Sequence, residues 1–401
     1  MKRLLPGALA CAATIAIYGS SGGMAAAQAH ASKPSSPAGK RAATGHTRTY
    51  YIAADQVTWD YVPGGKDGIT GQPFEEIGYF KAPKPDAPPV GKPVSTKYLK
   101  TIYREYTDET FKTLKPRPRE WEHLGFLGPA IHAEVGDTIK IVFRNNGDHP
   151  FSMHPHGVFY TKDSEGAPYQ DGTSGADKGD DGVPPGGTHV YTWEARERSG
   201  PADMDVSSVM WMYHSHVAEV KDPNTGLMGP MIVTARGKAK PDGSPKDVDR
   251  ELVLMFAQVH EEDSWHFLKN VDVTANPVPA PPGLTQNFYP YFVTFSLNGY
   301  AFGSMPLDAI TVRKGERVRW YVMSSTNDFD FHTPHWHGNV VTSNHMRMDV
   351  AFMGPMQMIT ADMVPDNEGT WLLHCHVSFH NTAGMTGRYA VGPAARRPST
   401  E

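Results

Sequence analysis

The chain has 401 residues, 43 of them acidic and 38 basic, for a formal net charge of −5. At ~150 residues per domain this length gives two or three domains, each able to bury a core of its own. The interspersed charge excludes the clustered basic face that nucleic-acid binding requires, and 39 Gly and 34 Pro favour a loop-rich all-β protein over a helical one.

In chain order, residues 1–31 read as an export signal. Lys2 and Arg3 form its basic start, an apolar run follows, and Ala27-Gln28-Ala29 offers small residues around a cleavage point. Its removal makes the working protein extracytoplasmic, secreted or periplasmic, and no later stretch approaches the ~20 apolar residues of a membrane span. Cys11 leaves with the signal, so Cys375 is the one remaining thiol and has no partner for an internal bridge. Residues 32–48 form a Pro/Ser/Gly/Lys-rich tether. Strand-like runs follow between Gly, Pro, Asn and Asp clusters, among them TIKIVFRN, THVYTWEA and GPMIVTA, then ELVLMFAQV, RVRWYVM and QMITADM. This rhythm predicts β-sandwiches. The polar, Pro-punctuated segment 237–250 is the expected linker between a first domain, 49–236, and a second, 251–392, with a frayed tail at 393–401. The two domains read as copies of one unit: EVGDTIKIVFRN…MHPHGV matches VRKGERVRWYVM…HWHGNV, and WMYHSHV…TGLMGPMIV matches WLLHCHV…AGMTGRYAV.

Ten of the 19 His fall in four clusters: His154-Pro-His156, His214-Ser-His216, His332-x-x-His335-Trp-His337 and His374-Cys375-His376-x-x-x-His380. Along a strand, residues i and i+2 share a face, so each His-x-His pair offers two imidazoles to one metal cluster. In His374-Cys375-His376 the imidazoles face one way and the thiol the other, which would join two metal sites through adjacent backbone. Cys375, His380 and a second imidazole, for which His332 is the natural choice, make a His₂Cys set. With Met385 as a weak axial thioether they match a blue-copper site. The remaining eight His, four pairs without carboxylates, suit a copper cluster and exceed what one zinc needs.

The motifs HPHG, YHSH, HTPHWHG and HCHVSFHNTAGM resemble the four copper motifs of the multicopper oxidases. The wider text, including HLGFLGPAIHAEVGD and NTGLMGPMIV, resembles their ceruloplasmin/hephaestin-like branch over nearly all of the mature chain. The resemblance implies two cupredoxin-like Greek-key β-sandwich domains and four coppers per chain equivalent. It makes His332, Cys375, His380 and Met385 the type 1 site and gives type 2 copper to His154 and His335. It assigns the type 3 pair to His156, His214, His216, His337, His374 and His376. Cys375, through His374 and His376, would carry electrons from the first site to the cluster. Aligning the two copies sets Ser215 opposite Cys375, Phe151 opposite His332 and the neighbourhood of Val220 opposite His380, with Leu227 and Met228 near Met385. Only the second domain then holds a type 1 site. Each domain supplies half of the cluster ligands, so a homotrimer with trinuclear sites between subunits is expected by analogy with the six-domain ring of the branch.

The implied activity couples one-electron oxidation of a reductant to four-electron reduction of O₂ to water. Where the ferroxidases of the branch carry acidic and imidazole groups, this chain has Phe379, Pro290 and Phe295. An aromatic mouth of Phe379 with Phe288, Tyr289 or Tyr291 favours phenols or aromatic amines, in the manner of laccases, with a ferroxidase or cuprous oxidase as the alternative. O₂ and this small reductant are the expected partners, with no nucleic acid and no membrane span. The loop carrying Asp171, Asp177, Asp180 and Asp181 resembles the branch's calcium loop; it reads first as a solvated acidic loop and second as a Ca²⁺ site.

Overall fold

Short runs of alternating or continuous apolar residues, cut by glycine and proline turns, fold into β-strands joined by one-turn helices. The computed structural model describes residues 45–73, 92–93, 96–272, 293–325 and 330–394. The expected export signal, the tether up to residue 44 and the tail beyond residue 394 lie outside the described residues, as do Phe288, Tyr289, Pro290 and Tyr291.

Thr138–Asn145 shows why these segments become strands. Its alternate residues Ile139, Ile141 and Phe143 are fully buried, so the pleat lays one face on a core. The first half of the chain holds two sheets. One orders its strands Lys97–Tyr106, Thr47–Asp60, Thr138–Asn145, Thr188–Glu194, Phe159–Tyr160; the other orders Ile131–Glu134, Met228–Thr234, Ser208–His214, His154–Pro155. The second half repeats both orders, with one strand, Met346–Met348, added at the edge of the larger sheet. Val293–Leu297, Arg250–His260, Val318–Ser325, Met358–Met363, Val341–Ser343 and Met346–Met348 form one sheet, and Thr311–Arg313, Thr386–Gly392, Gly369–Cys375 and Pro334–Trp336 the other. The parallel pairings repeat as well: Thr47 faces Thr138 as Arg250 faces Val318.

Each half closes over its own core, one built around Phe143, Tyr191 and Trp193, the other around Trp320, Trp336 and Leu373. A third core draws on both halves, with Tyr98, Phe126, Met210 and Met212 meeting Val253, Met255, Tyr321 and Met323. Arg319, 1% exposed, crosses this junction: its guanidinium grips Asp362 at 2.6 and 2.8 Å and donates to Ser207 and Ser208 at 2.8 and 2.7 Å. Lys100 and Glu261, both fully buried, form a second ionic link across it at 2.5 Å. The segment 237–250 is pinned rather than loose, with Asp249 taking two bonds from the Arg317 side chain at 3.1 and 2.7 Å. Ordered strand begins at Thr47, two residues inside the expected tether, where Arg48 pairs with Asp137 at 2.6 Å.

Candidate metal centre

The strand register assembles the histidine motifs two by two. In the first half His154 lies opposite His214, and in the second His335 lies opposite His374. The glycine after each motif makes the close approach possible. Gly157 and Gly338 both have φ +73°, and a Cβ there would sit 2.2 Å from the Trp211 ring and 2.4 Å from the Trp371 ring. Only glycine fits a left-handed backbone pressed on an indole.

In the first half the donor atoms of His154, His156 and His214 lie within 4.8 Å of one another; in the second, those of His335, His337 and His374 do the same. The Nε2 atoms of His156 and His214 are 3.1 Å apart, and those of His337 and His374 3.0 Å. His216 joins the first set with its ring 5.1 Å from that of His154, and His376 joins the second with its ring 5.1 Å from that of His335. Backbone carbonyls fix the tautomers: Nδ1–H of His154 donates to Glu165 at 2.6 Å, that of His214 to Ser215 at 3.0 Å and that of His374 to Cys375 at 2.8 Å. Each Nε2 lone pair is thereby left facing its set. Burial, helped by neighbouring imidazoles, holds His156 down to about 4 and His214 down to about 3, so both stay neutral. Six of these eight His, all but His214 and His374, are half-buried or exposed. Among the described residues no hydrogen bond or ring contact joins one set to the other.

The third group is buried. His332, Cys375 and Met385 are fully buried and His380 is 2% exposed. Cys375 Sγ is 3.9 Å from His332 Nδ1 and 3.5 Å from His380 Nδ1. Two donors bound to one first-row ion at ~2.0 and ~2.3 Å sit about 3.5–3.7 Å apart, so this trio fits a shared metal ion. The thiol is pushed up by burial, and His332 is pushed down to about 4 by burial with the His380 charge adding. Met385 is held by its backbone, its amide donating to the His380 carbonyl at 2.9 Å and its carbonyl accepting from the Cys375 amide at 3.0 Å.

The equivalent first-half pocket has other chemistry, and its alignment needs a correction. The Ser215 amide donates to the Leu227 carbonyl and the Leu227 amide to the Asp222 carbonyl, as Cys375, Met385 and His380 do. Asp222, not the neighbourhood of Val220, therefore stands for His380, and Leu227 stands for Met385. The Asp222 carboxylate accepts Ser215 Oγ at 2.6 Å, the Ala218 amide at 3.0 Å and Trp265 Nε1 at 2.9 Å.

At the mouth of the thiol site is a carboxylate the motifs did not single out. Asp330 Oδ2 accepts from His380 Nε2 at 2.9 Å and from Gln258 Nε2 at 2.6 Å, and its side chain is 32% exposed. Its signal was its place two residues before His332, where an extended chain returns to the same face. Phe295, which stands where the ferroxidases of the branch carry an imidazole, is 1% exposed; its ring lies 5.1 Å from that of His380 and 5.3 Å from that of Phe379. Phe379 itself is 39% exposed, as expected.

The acidic loop does not gather its carboxylates around a cation site. The Lys178 ammonium stands between Asp171 and Asp181 at 2.8 and 3.1 Å, while Asp180 is buried on the Gly166 amide at 2.6 Å and Asp177 is exposed. Lys178 thus answers two of the four carboxylates.

Two family models described as multicopper oxidase match residues 124–238 and 274–395. Ferroxidase HEPHL1 of Mus musculus is 42% identical over 353 residues, covering 86% of this chain and 29% of its own length. Hephaestin of Homo sapiens is 39% identical over 360 residues, covering 89% and 30%, and ceruloplasmin of Homo sapiens 35% over 363 residues, covering 88% and 33%. The chain thus spans about a third of the length of these curated relatives. Among solved structures, the multicopper oxidase mgLAC superposes with a TM-score of 0.54 at 17% identity over 88% of each chain. The copper nitrite reductase from Nitrosomonas europaea superposes with 0.52 at 17% identity, covering 86% of this chain and 94% of its own. These two likenesses speak for the all-β, cupredoxin-like fold alone.

Proposed function

The chain belongs to the multicopper oxidase family, and on that premise we propose that it is a metal-ion oxidase that takes electrons from ferrous iron beside His380 and delivers them to O₂ at the paired histidines. The observation that carries this reading is Asp330. Its carboxylate touches the outer nitrogen of a buried thiol-site imidazole and is itself partly exposed, so it offers a hard oxygen donor to a cation arriving from solvent. The ferroxidase named among the relatives supports the same choice.

His332, Cys375, His380 and Met385 would hold type 1 copper, His154 and His335 type 2, and His156, His214, His216, His337, His374 and His376 the type 3 pair. When bound, copper supplies the one-electron redox steps between a reductant and O₂. The chain's own residues do the positioning. Asp330 holds His380 by its Nε2–H and so aims Nδ1 at the Cys375 sulfur, 3.5 Å away. Cys375 is bonded on both sides to a cluster histidine, which makes one short stretch of backbone the link between the two centres. The half-open state of the two four-His sets supports an assembly in which each set meets the complementary set of another copy, most simply a homotrimer. The basic start and apolar run of residues 1–31 support an extracytoplasmic destination; among the described residues no helix is long and apolar enough to cross a membrane.

Oxygen uptake with Fe²⁺ and with a substituted phenol, in the parent and in Asp330→Ala, tests the proposal. It expects saturable uptake with Fe²⁺ and a fall of about 10–100-fold in kcat/KM for Fe²⁺ in the variant. Inert Fe²⁺ beside a saturable phenol reaction overturns it. One observation favours that second reading: Phe331 and Phe352, 42% and 65% exposed, pair at 5.4 Å and offer an aromatic surface to a ring substrate.

A further inference from the structure

A hollow of about 550 Å³ opens outside the histidine sequence motifs, between the strand Lys97–Tyr106, the loop after it and the short helix Arg119–Leu124. That is the size of a small-molecule site. No histidine of the four clusters lines it, and neither does Cys375. Ile102, Leu114, Leu124, Pro116 and Pro118 make much of its wall apolar. Trp121 completes that wall with its orientation already set: its ring stacks on His123 at 5.6 Å and 26°, and meets His132 edge-on at 5.6 Å.

The charges on the wall do not balance. Arg104, Lys115 and Arg117 line the hollow with one carboxylate, Glu105, which Lys115 engages at 2.8 Å. Arg104 leans on Asp55 at 3.6 Å. Arg117 is half-buried and, among the described residues, makes no ion pair; its guanidinium donates to the carbonyls of Gly125 and Leu127, each at 2.7 Å. Two of its five N–H groups are thus spent in holding it rigid, and among the described residues no carboxylate bonds to it. Burial chiefly, with the Arg104 charge adding, pushes Arg117 below its ordinary value.

We propose that this hollow binds a small aromatic carboxylate, its anion on Arg117 and Arg104 and its ring against Trp121 and the proline wall. A rigid guanidinium fork matches a carboxylate in two parallel bonds, and an indole set edge and face by its neighbours offers a ring a prepared surface. A strongly hydrated inorganic anion gains nothing from the apolar wall, and a neutral ring leaves the arginines unanswered.

Calorimetric titration of the full-length protein with benzoate, and with benzamide as the neutral isostere, tests this. The expected result is saturable benzoate binding at one site per chain, with benzamide weaker by about ten-fold or more. Arg117 also ties down two carbonyls, so the variants are Arg104→Gln and Trp121→Leu, each checked for an unchanged unfolding midpoint. Each is expected to weaken benzoate by about five-fold or more. Absence of saturable benzoate binding at millimolar concentration overturns the proposal, as does benzamide binding equally well. Benzoate binding that neither variant alters puts the ligand elsewhere and overturns it too.

Discussion

Below the paired histidines of the first half, one pocket is filled by Phe151, Ser215, Asp222 and Leu227; at the same backbone positions the second half holds His332, Cys375, His380 and Met385. The hydrogen bonds that frame the two pockets are the same. Phe151 exchanges amide and carbonyl with Val183 as His332 does with Met353. What differs is how the side chains are satisfied. Asp222 is met by Ser215, the Ala218 amide and Trp265, a closed set of protein donors. The Cys375 sulfur stands 3.5 and 3.9 Å from its two imidazoles, close to the spacing of atoms that share a central ion. Four side chains on one repeated backbone therefore separate a self-contained polar pocket from the proposed metal centre.

The comparison can be broken most severely at its thiol. In Cys375→Ser the blue absorption and the turnover with any reductant are expected to vanish while the protein still folds, because a hydroxyl does not supply the soft ligand; absorption that persists breaks the assignment. The next largest effect is on the union of the halves. Lys100→Met leaves the fully buried Glu261 without its cation and is expected to cost about 3–5 kcal/mol in denaturant unfolding. A loss under 1 kcal/mol would mean the halves do not depend on this link.

His123 gives a pH-dependent test of the same junction. It is fully buried, donates Nδ1–H to the Glu120 carbonyl at 2.8 Å and accepts the Val253 amide on Nε2 at 3.0 Å, and burial holds it down to about 3. The unfolded chain takes up this proton near pH 6.5 and the folded chain resists it. The stability from His123 is therefore complete above about pH 6.5 and declines toward pH 3, by at most about 1.4 kcal/mol per pH unit. Urea unfolding of parent and His123→Gln across that range checks this: the slopes should differ by about one proton, and parallel curves contradict it. The smallest expected effect sharpens the comparison most. Ser215→Cys places a thiol in the first-half pocket, yet no second blue centre is expected, because Phe151 and Asp222 stand where imidazoles are needed. Optical titration with copper would reveal one if it formed.

The histidine sets and the thiol site were legible in the sequence because a strand has a period of two and each motif places its ligands on that period. The position opposite His380 was placed only to the neighbourhood of Val220 because the first half carries two more residues between His216 and Asp222 than the second does between His376 and His380, and a run of letters does not show where a loop absorbs them. Asp330 was missed for a different reason. Its meaning comes from His380 and Gln258, and Gln258 reaches it from a strand 72 positions away. The third core was equally hidden, since apolar periodicity shows which face of a strand is buried and not which half covers it.

The central claim, that the metal chemistry divides unequally between two like halves, is tested most directly by counting thiolate-bound copper in the copper-loaded protein, from blue absorption against total copper per chain. The account predicts one blue centre per chain, abolished by Cys375→Ser with most of the copper retained on the paired histidines. Two blue centres, or one that survives the loss of Cys375, would contradict it.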